Sequence, residues 1–205
     1  LKSAELIGCN IVDKKMILPI RNEGEVFVEK FLRQNNINNS DKIVGFQVGA
    51  STISRMWFPE RFIDLGKKLL NSYENIKIII TGSPEEFNYC KKIAQGIGKN
   101  AIVSAGKIPL RYIASLIKKC NVLVTGDTGI MHVAIAVGTP IIGLFAVSDP
   151  NKSGVYYDMD RHIIIKKDRI CNPCKSKKCE YPKCMESISI DEVYKTMIKN
   201  FEVKL

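Results

Sequence analysis

The stretch Val122-Leu123-Val124-Thr125-Gly126-Asp127-Thr128-Gly129-Ile130-Met131-His132-Val133-Ala134-Ile135-Ala136-Val137-Gly138-Thr139-Pro140 reads as an apolar strand, a Gly-Asp-Thr-Gly turn and a helix. Thr128 is placed to open the helix and Gly138 to close it before Pro140. A helix leaves the N–H groups of its first turn unpaired and carries partial positive charge there. A strand running through a small-residue turn straight into a helix is therefore a cradle for phosphate.

Outward from this stretch the same pattern repeats. Short Ile/Val runs predict strands at Ile43–Gln47, Ile76–Thr81, Ala101–Ser104, Val122–Thr125, Ile141–Phe145 and His162–Lys166. Amphipathic spacing predicts helices at Pro59–Asn71, Pro84–Gln95, Leu110–Lys119, Gly129–Val137 and Ile190–Phe201. Nearly continuous apolar strands separated by helices imply a parallel sheet covered on both faces, a doubly wound α/β fold. Ligands of such folds sit beyond the carboxyl ends of the strands. The loops that matter are then Val48–Trp57, Gly82–Glu86, Ala105–Ile108, Gly126–Gly129 and Ala146–Gly154. Residues 1–41 read as a tether followed by a leading helix at Glu25–Gln34, and residues 42–205 as one domain that ends in a Cys-rich segment, 171–184.

The chain of 205 residues carries 31 basic and 21 acidic side chains, a formal charge of +10, and 45% hydrophobic residues. Its charge favours anionic partners: nucleotides, phosphorylated glycans, anionic lipid or nucleic acid. A Lys-rich face that serves only solvation is the alternative. No apolar run approaches the roughly 18 residues of a membrane span, and no signal peptide is visible, so a cytoplasmic location is expected. The first residue is Leu1, which suggests a fragment of a longer protein.

Three loops hold residues suited to chemistry. Gln47–Pro59 pairs small hydroxyl residues with one cation, Arg55, a set able to wrap phosphate oxygens; a surface loop anchored by Trp57 is the alternative. Glu85 and Glu86 open a predicted helix, where they complement its dipole or, in the functional reading, accept bonds from ribose hydroxyls. His132 lies about one turn beyond Thr128, near the phosphate-facing end of its helix, whereas His162 reads as a strand-edge residue.

Seven cysteines occur, and Cys171, Cys174, Cys179 and Cys184 fall close together. Such clustering suits a four-thiolate zinc or iron–sulfur site, although only the first pair has the usual gap; disulfides or free thiols are the alternatives. Between Lys166 and Lys183 stand seven basic residues and two acids, a local excess suited to a phosphate-bearing acceptor or to peripheral contact with an anionic membrane. A zinc ribbon on nucleic acid would lack its interleaved aromatics here, so nucleic acid is not expected.

These motifs together resemble a known family. Gly126–Pro140 is similar to the Asp-Ser/Thr-Gly-x-x-His-x-Ala-x-Ala-x-Gly-x-Pro signature of the ADP-heptose:lipopolysaccharide heptosyltransferases, the family-nine glycosyltransferases. Arg55-Met56-Trp57-Phe58-Pro59-Glu60-Arg61-Phe62 resembles their Lys/Arg-x-Trp-Pro-x-x-Arg-Phe segment with one extra residue, Phe58. Gly82-Ser83-Pro84-Glu85-Glu86 resembles Gly-Gly-Pro-x-Glu, Ala105-Gly106-Lys107 their Ala-Gly-Lys, and the cysteine cluster one near the carboxyl end of many members.

The resemblance implies one Rossmann-like lobe of a two-lobed GT-B transferase, the lobe that holds the nucleotide sugar, ADP-heptose. It assigns Ser51, Thr52 and Arg55 to the diphosphate, Glu86 to the ribose, and the backbone of Ala105–Lys107 to the adenine. Asp127, Thr128, Gly129 and His132 go to the phosphates and sugar. The acceptor would be the lipopolysaccharide inner core, held by the N-terminal lobe, and no cofactor would be needed for the chemistry. The family's general base, an aspartate, belongs to that other lobe, and nothing in residues 1–41 replaces it, so this chain is expected to bind nucleotide without transferring sugar alone. Two other readings are a lobe of a GT-B-like nucleotide-sugar 2-epimerase and a non-catalytic, metal-stapled nucleotide- or nucleic-acid-binding module.

Overall fold

Six Ile/Val-rich segments pair side by side, all in parallel, in the order β3-β2-β1-β4-β5-β6. They are β1 (Lys42–Gln47), β2 (Ile76–Thr81), β3 (Ala101–Val103), β4 (Val122–Gly126), β5 (Ile141–Phe145) and β6 (His162–Lys166). The computed structural model describes residues 5–172, 174 and 178–201. The ends of the two expected spans, residues 1–4 and 202–205, lie outside it.

The direction of chain growth reverses between β1 and β4. From β1 the chain moves outward through α2 (Pro59–Ser72) to β2 and through α3 (Phe87–Ile97) to β3; it then returns through α4 (Ile113–Lys119) to β4 and continues through α5 (Gly129–Ala136) to β5. This is the doubly wound arrangement, and the gap outside the carboxyl ends of β1 and β4 is its switch point.

Alternate residues of each strand feed opposite layers, as the period of two requires. Val44, Phe46, Ile78, Ile80, Val122, Val124, Ile142 and Leu144 share one buried cluster with Phe62, Leu65, Leu69 and Ile93 of α2 and α3. Ile43, Ile79 and Ile102 pack on the other face with Leu116 of α4 and with Val28, Phe31 and Leu32 of α1 (Asn22–Gln34). The leading helix is thus packed into the core of the sheet domain. Leu123, Ile141 and Phe145 meet Met131, Ala134 and Ile135 of α5.

Predicted and observed elements differ mainly at their starts. The expected helices at Pro84 and Leu110 each begin as a 3-10 turn, Pro84–Glu86 and Leu110–Tyr112, before the α-helix proper. A proline at the first position and its missing N–H favour such a tight entry at Pro84. Two short helices, α6 (Pro150–Ser153) and α7 (Lys183–Glu186), were not expected; each has a proline at or just before its start and is too short to show periodicity. Among the described residues no helix is long and apolar enough to cross a membrane.

The closing helix α8 (Ile190–Phe201) lies on the α2 side, where Lys68 and Asp191 form an ion pair and the Tyr194 hydroxyl meets that of Ser72 at 2.8 Å. The segment before it is pinned by Trp57, which is 2% exposed, sets its ring edge-on against Phe62, and donates from Nε1 to the Ile188 carbonyl at 3.1 Å. One side chain therefore joins the first phosphate-candidate loop to the carboxyl-terminal segment. Trp57→Ala removes that volume and orphans the Ile188 carbonyl, and is expected to lower unfolding free energy by about 3–5 kcal/mol in a urea titration.

His162, expected at a strand edge, opens the edge strand β6 but is only 3% exposed. Neither ring nitrogen has a hydrogen-bond partner among the described residues, and the Tyr157 ring stands edge-on 6.4 Å away. Burial pushes the imidazole below its ordinary value of 6.5; Asp158 opposes that shift and Arg161 adds to it. The folded chain therefore resists a proton that the unfolded chain accepts, so this histidine costs no stability well above pH 6.5 and a growing amount as pH falls below it. In paired thermal melts at about pH 7 and pH 5, His162→Phe is expected to lose less stability on acidification than the wild type; an equal loss would remove His162 from the account.

Candidate functional site

The site is built where β1 and β4 end. After Gln47 the chain runs through Val48–Thr52 into a 3-10 turn, Ile53–Arg55, and the backbone of that turn crosses close over the end of β4. A methyl group on Gly126 would lie 2.5 Å from the Arg55 carbonyl oxygen, so the crossing requires a residue without Cβ. This approach sets the Arg55 guanidinium beside the next residue of β4's loop, Asp127. Nη1 of Arg55 lies 3.6 Å from Oδ2 of Asp127, an ion pair beyond hydrogen-bond reach. Both groups therefore keep donor or acceptor capacity for a ligand. Asp127 is buried, at 8% exposure, while Arg55 is half-buried.

Behind them Thr128 caps α5. Its Oγ1 accepts from the Met131 N–H at 3.4 Å and contacts Thr125 Oγ1 at 3.2 Å, and Thr125 in turn donates to the Gly126 carbonyl at 2.9 Å. The cap satisfies one donor of the first turn and leaves the earlier ones to other partners. At Gly129 an added Cβ would meet nothing within 4 Å, so a ligand can approach that backbone closely. His132 follows on the same helix and is half-buried.

Arg55 and Asp127 line a cavity of about 250 Å³ together with Ser54, Val147, Ser148, Asp149, Lys152, Ser153 and Arg169. Its walls come from the ends of β1, β4, β5 and β6. Ser51 is exposed and Thr52 half-buried at the start of the same turn, where Thr52 Oγ1 and Ser54 Oγ lie 3.1 Å apart. The sequence marks the loops Val48–Trp57 and Ala146–Gly154 that supply these walls but singles out neither Ser54 nor Arg169.

Glu86 and Lys107 lie on the other side of the switch point. The Glu86 carboxylate accepts from the Ser83 N–H at 2.7 Å and rests against Gly49, where an added Cβ would overlap it. It thus caps its own 3-10 turn and at the same time bridges the β1 and β2 loops. Lys107 is exposed and lines a shallow cavity at the β3 edge with Phe87, Lys91 and Lys99.

Cys171, Cys174, Cys179 and Cys184 do converge, around a cavity of about 300 Å³ that shares Val147 and Arg169 with the first. None of the seven cysteines is in a disulfide. Among the described residues no three Cys, His, Asp or Glu side chains are placed to hold one metal ion, so the zinc or iron–sulfur expectation has no support from the described geometry. Burial pushes the Cys184 thiol up, with Cys179 and Cys174 adding to the shift, which keeps that group protonated at neutral pH. The residues between the thiols, 173 and 175–177, lie outside the described ones.

With this geometry in place, comparison with known proteins is specific. Residues 19–185 match the model of glycosyltransferase family 9 (heptosyltransferase). The lipopolysaccharide core heptosyltransferase OpsX of Haemophilus influenzae is 27% identical over 164 residues, which cover 79% of this chain and 45% of that protein. The lipooligosaccharide heptosyltransferase 2 of Campylobacter jejuni is 24% identical over 180 residues, 84% of this chain and 56% of that protein. The chain spans about half the length of the curated relatives it matches. The crystal structure of a family 9 glycosyl transferase from Veillonella parvula superposes with a TM-score of 0.83 at 25% identity, covering 98% of this chain and 57% of the other. The Escherichia coli heptosyltransferase WaaC with ADP shares the fold, with a TM-score of 0.65 at 16% identity over 96% of this chain and 53% of that one. The chain belongs to glycosyltransferase family 9, the heptosyltransferase family.

Proposed function

We propose that this chain is the donor-binding lobe of a glycosyltransferase that moves heptose or a related sugar from ADP-heptose to the inner core of lipopolysaccharide. The observation that carries the reading is the Arg55–Asp127 pair at 3.6 Å, set beside the open start of α5 at the switch point. It is supported by family membership, by the names of the relatives, and by a structural neighbour that is a heptosyltransferase with ADP.

The chemistry follows from where charge develops. A base on the partner lobe takes the proton of an acceptor hydroxyl, whose oxygen attacks the anomeric carbon of the sugar. The bond from that carbon to the β-phosphate oxygen breaks, and its electron pair leaves with the nucleoside diphosphate. Arg55 and the backbone N–H groups at Thr128 and Gly129 stabilise that growing negative charge, in fixed positions that need no reorganisation. Asp127 orients Arg55 and can accept from a sugar hydroxyl, Ser51 and Thr52 complete the diphosphate contacts, and His132 lies on the sugar side. Glu86 and the backbone near Lys107 take the ribose and adenine. No cofactor takes part in the transfer. The acceptor and the base belong to the other lobe, and the excess of basic residues between Lys166 and Lys183 suits an anionic acceptor or the membrane that bears it.

Calorimetry tests the reading directly. ADP is expected to bind more tightly than UDP, and single-stranded RNA not to bind; equal affinity for ADP and UDP, or preferred RNA binding, would contradict it. Arg55→Ala is expected to weaken ADP binding by about tenfold or more, because it removes a charge-assisted contact to phosphate. Gly126→Ala pushes the Arg55 backbone away and is expected both to weaken ADP binding comparably and to lower the melting temperature, because the added methyl meets backbone rather than a flexible side chain. The isolated chain is expected to show no sugar transfer to a lipopolysaccharide-core acceptor, and robust turnover would show that the base lies within it.

A further inference from the structure

The cavity at the switch point has two walls, and the nucleotide reading uses only one. Ser54, Arg55 and Asp127 form the first; Ser148, Asp149, Lys152 and Ser153 beyond β5, with Arg169 beyond β6, form the second. The second wall is held in shape by its own contacts. Arg169 donates from Nη2 to the Val147 carbonyl at 2.6 Å, Asp149 accepts from the Asn151 N–H at 3.0 Å, and the Ser153 hydroxyl donates to the Asp149 carbonyl at 3.3 Å.

The charge count across the cavity is uneven. Three cations, Arg55, Lys152 and Arg169, face two carboxylates, Asp127 and Asp149. Asp127 is paired with Arg55, and among the described residues neither Lys152 nor Arg169 has an ion pair. A guanidinium carries five N–H donors in a fixed fork, and Val147 occupies one corner of it. Arg169 and Lys152, both exposed, and the half-buried Ser148 line a space of about 250 Å³, large enough for a tetrahedral or planar anion.

Position along the sheet separates this wall from the diphosphate. The nucleotide reading, on which the inference rests for its direction, runs from β3 and β2 to the junction of β1 and β4. The second wall stands over β5 and β6, on the far side of that junction. We propose that Lys152, Arg169 and Ser148 form a separate anion subsite that takes a phosphate or carboxylate group of the sugar acceptor while the nucleotide is bound. Such a contact orients the acceptor towards the sugar and makes acceptor binding more salt-sensitive than donor binding.

The test is a nuclear magnetic resonance titration of the 15N-labelled chain, saturated with ADP, with inorganic phosphate in one arm and acetate in the other. Saturable shifts at the amides of Ser148, Asp149, Asn151, Lys152 and Ser153 and at the Arg169 side chain are expected, and the arm that binds more tightly identifies phosphate or carboxylate as the group recognised. Lys152→Gln and Arg169→Lys should each weaken that anion by about fivefold or more while ADP affinity stays within about twofold. Absence of saturable shifts with ADP bound, or loss of ADP affinity in step with anion affinity, would overturn the proposal by placing these cations in the donor site. If ADP itself fails to bind, the nucleotide reading fails separately. Phosphate added to the nucleotide-free chain then decides the subsite: saturable shifts at Ser148–Ser153 that Lys152→Gln weakens support it, and their absence overturns it.

Discussion

The close crossing of the Arg55 carbonyl over Gly126 is the contact on which the site depends. β1 and β4 are neighbours at the point where the winding direction reverses, so their loops lead to helices on opposite faces of the sheet. A glycine at the end of β4 lets the loop from β1 fold across it, and the crossing puts a guanidinium 3.6 Å from the Asp127 carboxylate at the mouth of α5. Trp57 holds the same loop from its other end. Its buried ring and its bond to the Ile188 carbonyl anchor the chain two residues after Arg55, so the cation is carried between two fixed points.

A consequence is that site geometry and stability are linked through few residues. The core beneath is a set of large apolar side chains at or near full burial. The loops above depend on small residues and single hydrogen bonds: Thr128 to the Met131 N–H, Glu86 to the Ser83 N–H, Arg169 to the Val147 carbonyl. Changes in the first group alter whether the chain folds, and changes in the second alter where charge is presented. The thiol cavity shares Val147 and Arg169 with the charged one, so the Cys-rich segment forms part of the support for the site's second wall.

Much of this was legible in the chain because its central strands are buried along nearly their whole length. Runs such as Ile76-Lys77-Ile78-Ile79-Ile80 and Val122-Leu123-Val124 announce parallel strands, and a helix pattern between each pair leaves little choice of architecture. The Asp127–Gly129 turn was legible for a different reason, since its small residues and cap have few other uses. The second wall was not, because Ser148–Ser153 and Arg169 show no period; β6 pairing beside β5 sets their positions, and that pairing is long-range. Glu86 shows a further limit. Dipole complement and ribose acceptor predict the same residue at the same place, and the folded chain adds a third role, a carboxylate laid over Gly49 that spans two loops.

The proposed function depends on where the diphosphate sits. A crystal structure of the chain soaked with ADP measures it most directly. Phosphate oxygens are expected within hydrogen-bond distance of Arg55 and of the Gly129 backbone N–H, with the adenosine lying towards β2 and β3. ADP seated instead at the β3-edge cavity around Lys91 and Lys99, or with its phosphates away from Arg55, would contradict it.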